Sequence, residues 1–208
     1  MQDPFVLAVG VAIFVMSVVA HEVAHGWVAY RCGDPTAKEA GRLTFNPLPH
    51  IDLFMTVMVP AFFLYAGAPF VLGGAKPVPI NPFLLRRPRR DWLLVSAAGV
   101  ATNLLIAVGL ALVIRGLLFV NIFSPTSQGT LALEAGMMVN VFLAVFNLVP
   151  IPPLDGSRIV SMLFPNSVGR VMEQLEPVGF VLLILALYFT PLVHYLAVAA
   201  LYVTSVLL

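Results

Sequence analysis

Ionisable residues are scarce in this chain: 10% of its 208 residues are charged, and the formal net charge is only +1. A soluble domain carries about a quarter charged residues, so a water-facing surface over the whole chain is excluded. No basic face has interleaved aromatic residues, and nucleic acid is not expected as a partner. Cysteine is rarer still. The single thiol, Cys32, excludes an intrachain disulfide and any structural zinc site built on several cysteines. Basic residues are missing from Met1-Gln2-Asp3-Pro4, so the apolar run that follows reads as a retained span rather than a cleaved leader. Repeats, low-complexity tracts and long linkers are absent, which leaves one domain.

Apolar surface is what the chain has in excess: 60% of residues are hydrophobic and the mean hydropathy is +0.98. That is the composition of a polytopic membrane protein with the lipid bilayer as its solvent. Apolar runs cover residues 5–30, 51–72, 92–120, 131–151 and 178–208, the last with a kink expected at Pro191. The second run, broken by Pro60, Gly67 and Pro69, is barely long enough to span. After Gly73-Gly74, the prolines at 77, 79 and 82 forbid helix. They strip donors from one edge of an extended segment, while Lys76, Val78 and Ile80 keep theirs on the other. A strand with one usable edge and a proline-rich linker both fit this pattern. The expected fold class is all-α, a transmembrane helical bundle with a short re-entrant extended segment.

One stretch organises the rest. His21 and His25, four residues apart on a helix, project from one face and can ligate one metal ion. Glu22 beside them is not needed as a ligand and can serve as a base. This is the H-E-x-x-H arrangement of zinc peptidases. It interrupts an apolar run, where a charge costs roughly 2.5–3.5 kcal/mol, so a functional role is the default reading. A catalytic zinc needs a third protein ligand. Cys32 is too close along the chain, and His50 and His194 lack a supporting context. Asp155, in the turn Pro152-Pro153-Leu154-Asp155-Gly156, is the best placed, although taken alone an ordinary Asp-Gly turn or helix cap explains it better. Asn103 follows the small residues Ser96-Ala97-Ala98-Gly99 and reads as a hydrogen-bonding link between helices.

The chain resembles the site-2 protease family of intramembrane zinc metalloproteases. The resemblance rests on His21-Glu22-Val23-Ala24-His25 and on Asn147-Leu148-Val149-Pro150-Ile151-Pro152-Pro153-Leu154-Asp155-Gly156. Gly73-Gly74-Ala75-Lys76-Pro77-Val78-Pro79 is similar to the segment that links the two in compact bacterial members. The resemblance implies one Zn2+ held by His21, His25 and Asp155, with Glu22 as acid and base and Asn147 positioning the peptide carbonyl. It also implies hydrolysis of a peptide bond in or near a transmembrane helix of a membrane protein substrate. Two departures stand out. The family often has Ala-Gly-Pro before its third-helix asparagine, whereas Val100 follows Ala98-Gly99 here. Neither a span before the motif nor a PDZ domain is present in these 208 residues, so a compact member is expected. The competing reading is a zinc-binding membrane protein without protease activity, a carrier or scaffold. Carriers need ligands on both sides of a pathway, and one cluster is found.

A shared metal makes the spans carrying His21 and Asp155 parallel. The 51–72 run must then enter and return, together with 76–82. In that arrangement Arg31, Lys38, Arg42, Lys76, Arg86, Arg87, Arg89, Arg90, Arg158 and Arg170 fall on one side. The positive-inside rule makes that side cytoplasmic, with the protein in the cell (inner, cytoplasmic) membrane and its active site nearer the cytoplasm. The edge at Lys76, Val78 and Ile80 is expected to capture the unwound substrate as an added strand. The catalytic core is expected over residues 1–165, and 166–208 as a C-terminal transmembrane segment of the same domain.

Overall fold

The computed structural model describes residues 3–68, 70–165 and 168–208. The start read at Met1-Gln2, the break expected at Pro69 and the boundary expected at Asn166 lie outside the described residues. The first helix, α1 (Pro4–Arg31), starts where the Asp3 side chain accepts the Phe5 N–H at 2.8 Å. Pro4 occupies the first turn, where its missing N–H costs nothing. The 28 residues reach about 42 Å, more than the hydrocarbon thickness of roughly 30 Å.

Short α2 (Thr36–Glu39) follows, then α3 (Val59–Tyr65), α4 (Pro88–Phe119) and α5 (Gln128–Asn147). Beyond them come α6 (Asp155–Leu163), α7 (Val168–Leu175), α8 (Gly179–Phe189) and α9 (Leu192–Leu207). Among the described residues no β-strand forms. Four stretches are long and apolar enough to cross a membrane: α1, α4, α5 and Val168–Phe189. The chain is a polytopic all-α membrane protein. The kink expected at Pro191 is a full break between α8 and α9.

Side-chain bonds fix the helix directions. Gln128 Nε2, at the start of α5, donates to Asp3 Oδ2 at 2.6 Å, so α1 and α5 begin at the same end. Near the other end, His21 and His25 meet Asp155, just beyond α5. Thus α1 and α5 run parallel and α4 runs back between them.

A one-turn π-helix (Leu53–Met58) leads into α3, thirteen residues in all. About 20 Å of helix falls short of a crossing. The chain then returns: Gly74 N donates to Met55 O at 3.0 Å, Lys76 N to His50 O at 2.8 Å, and Arg86 N to Cys32 O at 3.0 Å. The excursion therefore begins and ends beside the last turn of α1, as a re-entrant hairpin does.

The extended segment corrects one expectation. Lys76 N–H is taken by His50 O, and Val78 N–H by Glu22 Oε2 at 2.9 Å. Of the three donors expected to form a free edge, Ile80 alone takes no acceptor among the described residues. The reason is burial. The Val78 side chain is 6% exposed and packs on Gly26 of α1, and a peptide group this close to the core cannot be left unpaired.

Two apolar clusters hold the bundle. Ala107, Ala111 and Ile114 of α4 meet Met137 and Val141 of α5 and Ala200 of α9, small residues allowing close approach. Val59, Phe63 and Leu72 of the hairpin meet Val149, Leu154, Leu183, Leu187 and Leu196. This second cluster ties the hairpin and the C-terminal helices to the turn that presents Asp155. Ten of the eleven Lys and Arg residues belong to the end where the hairpin returns, and Arg115 of α4 lies toward the other.

Cysteine labelling checks this topology. Burial, and Asp91 beside it, push the Cys32 thiol pKa above its usual value. Its thiolate is therefore sparse at neutral pH and labelling should quicken as pH rises. Cys32 and, in a Cys32→Ser background, a cysteine at Arg89 should react with an impermeant reagent from one side only, and a cysteine at Ser124 from the other. Opposite labelling of the first two would mean that the hairpin crosses.

Candidate metal centre

His21 and His25 lie on one face of α1, and Asp155 opens α6 after the turn at Leu154. Gly156 lets that turn close, because a methyl group there would run into the Leu148 and Val149 carbonyls at the end of α5. All three side chains are buried, at 8%, 8% and 5% exposure. Among the described residues they form one group of potential ligands, with donor atoms within 4.8 Å of one another.

Hydrogen bonds from neighbouring helices set both imidazole tautomers. The Gly136 carbonyl can only accept, so it fixes the Asn140 amide nitrogen as donor, at 2.9 Å. That nitrogen also donates to Ser17 Oγ at 2.8 Å, leaving Asn140 Oδ1 to accept from Asn103 Nδ2 at 3.1 Å. Asn103 Oδ1 is then an acceptor facing His21 Nδ1 at 2.7 Å, which makes that nitrogen the protonated one. His25 Nδ1 likewise donates to the Val95 carbonyl at 2.7 Å. In the neutral ring each Nε2 therefore turns a lone pair into the site.

Three potential ligand atoms converge there. The two Nε2 atoms stand 3.0 Å apart, and Asp155 Oδ2 lies 3.2 and 3.3 Å from them. Asp155 Oδ2 is buried and has no hydrogen-bond donor. Ligands about 2.0–2.1 Å from a tetrahedral zinc stand about 3.3 Å from each other, so these separations fit zinc. The N2O donor set fits it too. Gly99 of α4 keeps the space open: a methyl group there would stand 2.5 Å from His21 Nε2 and 2.6 Å from His25 Nε2.

The remaining expected site residues stand around this group in different ways. Glu22, half-buried, holds Val78 N–H on Oε2. Asn147, in the last turn of α5, donates one amide hydrogen to the Leu143 carbonyl of its own helix. Lys76 is exposed, Val78 buried and Ile80 half-buried. Of the alternative ligands, His50 is buried elsewhere against the Thr44 carbonyl, and His194 is exposed beside the Tyr195 ring. Cys32 caps α1. Sequence reasoning placed Asn103 as a link between helices but missed that its partner is His21. It also missed Ser17, Asn140 and the Val95 carbonyl. The available signal was a polar stripe, Ser17, His21 and His25, recurring every four residues of α1.

A glutamate beside two inward-facing histidines and an aspartate, all inside an apolar bundle, fits the class of membrane-embedded metallohydrolases. Comparison with known proteins agrees. The sequence profile described as Peptidase family M50 matches residues 127–188. The chain is 39% identical over 190 residues to YwhC of Bacillus subtilis (strain 168), covering 89% of this chain and 82% of that protein. It is 29% identical over 181 residues to Rip2 of Mycolicibacterium smegmatis (strain ATCC 700084), covering 87% of this chain and 66% of the other. Against Rip2 of Mycobacterium tuberculosis (strain H37Rv) it is 32% identical over 150 residues, 70% of this chain and 53% of the other. Each of these relatives bears the name "putative zinc metalloprotease". No solved structure matches the chain at a significant level. The chain belongs to peptidase family M50, the site-2 protease family, and is an intramembrane zinc metalloprotease whose substrates are membrane proteins in the bilayer.

Asn103→Leu, which removes the acceptor on His21 Nδ1 while keeping the branched side-chain shape, is expected to weaken zinc binding by about 10–100-fold. A chelator competition on the purified protein measures this. Unchanged affinity would mean that the hydrogen-bond relay does not set the His21 lone pair.

Proposed function

We propose that His21, His25 and Asp155 hold the zinc ion and that Glu22 is the general base and acid for peptide hydrolysis. The observation that carries this is the convergence of three potential ligand atoms, two of them on rings oriented by Asn103 and Val95, with Glu22 following His21 in the chain. Zinc, when bound, supplies a Lewis acid that activates water and polarises the scissile carbonyl. Glu22 accepts the proton of the attacking water and returns it to the leaving amine. Its Oε2 is held by Val78 N–H, which leaves Oε1 for that proton. The Asn147 amide keeps a second hydrogen beyond the one given to Leu143, and this donates to the carbonyl oxygen as charge develops. The resemblance to the family carries this last role.

The substrate is a transmembrane helix, whose carbonyls are occupied by its own backbone, so it unwinds before cleavage. Bonding of Lys76 and Val78 within the chain shifts the work of this segment from substrate edge to holder of the base. Ile80 keeps a donor for an incoming strand. The reading for the whole chain is one catalytic domain. Its setting is the cell (cytoplasmic) membrane with the metal centre nearer the cytoplasm, because the basic residues gather at that end.

His21→Ala and Asp155→Ala should each lose most of the zinc, about one ion per chain, that the purified protein carries. Glu22→Gln should keep the zinc and lose cleavage by at least roughly 100-fold. Near-normal turnover of a membrane-helix substrate by that variant would sink the proton-transfer role. A metal-loaded parent that cuts no membrane-helix substrate would favour a carrier or scaffold.

Val78→Pro removes the N–H on Glu22 in a stretch already flanked by prolines. Zinc content should hold while kcat falls by roughly 100-fold, the cost of a misplaced reacting group. Unaltered kcat would separate the 75–81 segment from the chemistry.

A further inference from the structure

Basic residues not used by the metal centre concentrate where α4 begins: Arg86, Arg87, Arg89 and Arg90. The one acid in this run, Asp91, is buried and accepts the Arg87 backbone N–H at 2.8 Å. Arg158 of α6 lies over the Trp92 ring, 5.6 Å from its centroid, and pairs with Glu176 at 3.8 Å. Among the described residues, no carboxylate pairs with Arg89 or Arg90.

An open cleft of about 360 Å³ lies here between the first turns of α4 and the end of α6. It is lined by Arg89, Arg90, Leu93, Met162 and Leu163. Arg89 Nε donates to the Met162 carbonyl at 3.0 Å, which fastens the guanidinium to α6 and leaves its terminal nitrogens available. The surroundings are apolar and exposed, with Leu94, Leu163 and Phe164 between 44% and 59% accessible. Trp92 marks the depth, since tryptophan gathers at the level of lipid headgroups. Two cations without acids, beside apolar walls at headgroup depth, complement a molecule with an anionic head and a hydrocarbon tail.

We propose that this cleft binds one anionic phospholipid. Its phosphate sits on Arg89 and Arg90, whose planar forks match phosphate oxygens. An acyl chain runs along Leu93, Met162 and Leu163. The lipid thereby joins α4 to α6, the helix that begins at Asp155. An anionic headgroup is preferred over phosphatidylcholine because the choline cation already neutralises the phosphate.

Native mass spectrometry of the full chain, released from nanodiscs of phosphatidylcholine doped with phosphatidylglycerol, tests this. One phosphatidylglycerol per chain should survive an excess of phosphatidylcholine, and glycerol phosphate, which lacks acyl chains, should not displace it. Arg89→Gln combined with Arg90→Gln should weaken retention by roughly 25-fold, about 5-fold for each arginine near the headgroups. Arg86→Gln combined with Arg87→Gln removes the same charge outside the cleft and should change retention by less than about 2-fold if the site rather than the general field is responsible. Leu163→Trp, at an exposed position, keeps both guanidiniums but narrows the cleft, and should also lose the lipid. It decides the matter if the double arginine variant fails to fold. Equal losses in the two double variants would overturn the proposal in favour of a diffuse basic surface. Displacement by glycerol phosphate would assign the arginines to a soluble phosphate. Equal retention of phosphatidylcholine would leave no anionic preference.

Discussion

Everything in this molecule depends on holding two imidazole nitrogens and a carboxylate oxygen together, buried inside an apolar bundle. Two neutral imidazole nitrogens and a carboxylate oxygen within 3.0–3.3 Å repel one another unless a proton or a metal ion is shared among them. The protein fixes the arrangement by controlling the far side of each ring. A relay from the Gly136 carbonyl through Asn140 and Asn103 reaches His21, and the Val95 carbonyl reaches His25. Every member of the relay is satisfied, as burial requires. Its polarity is set by a main-chain carbonyl that cannot be reversed.

The bundle can be read as the means of supplying that relay. Its members come from α1, α4 and α5, and Asp155 from the start of α6, just after the turn that follows α5. A site assembled from three spans and a turn needs α1 and α5 parallel with α4 between them. That leaves the 51–86 segment no net crossing to make, and it folds back as a hairpin. Glycines appear where the backbone must come close: Gly99 under the two rings and Gly156 against the end of α5. The hairpin then delivers Val78 N–H to Glu22, which ties the re-entrant segment to the helix that carries His21 and His25.

The basic end of the bundle carries a second division of labour. Arg158 is occupied by Trp92 and Glu176, whereas Arg89 and Arg90 border an apolar cleft. The same interfacial belt thus offers both orientation in the membrane and a place for an individual lipid, and the two differ in whether the charges are already paired.

By itself the sequence determined the class. Scarce charge and long apolar runs dictate a bundle in lipid, because unpaired peptide groups cannot remain there outside helices. His21, Glu22 and His25 were legible for the same reason: a four-residue spacing on a helix is a local geometric fact, independent of the rest of the fold. Asp155 was legible only in company, since an Asp-Gly turn has an ordinary explanation and lies more than a hundred residues from the histidines. What the tertiary structure alone decided were the partners across space. Asn103 could be read as polar glue, but not as the acceptor that sets the His21 lone pair. Lys76 and Val78 read as free donors because sequence shows which N–H groups exist, not which acceptors fold against them. Periodicity reports the face of a helix; hydrogen-bond partners depend on which faces meet.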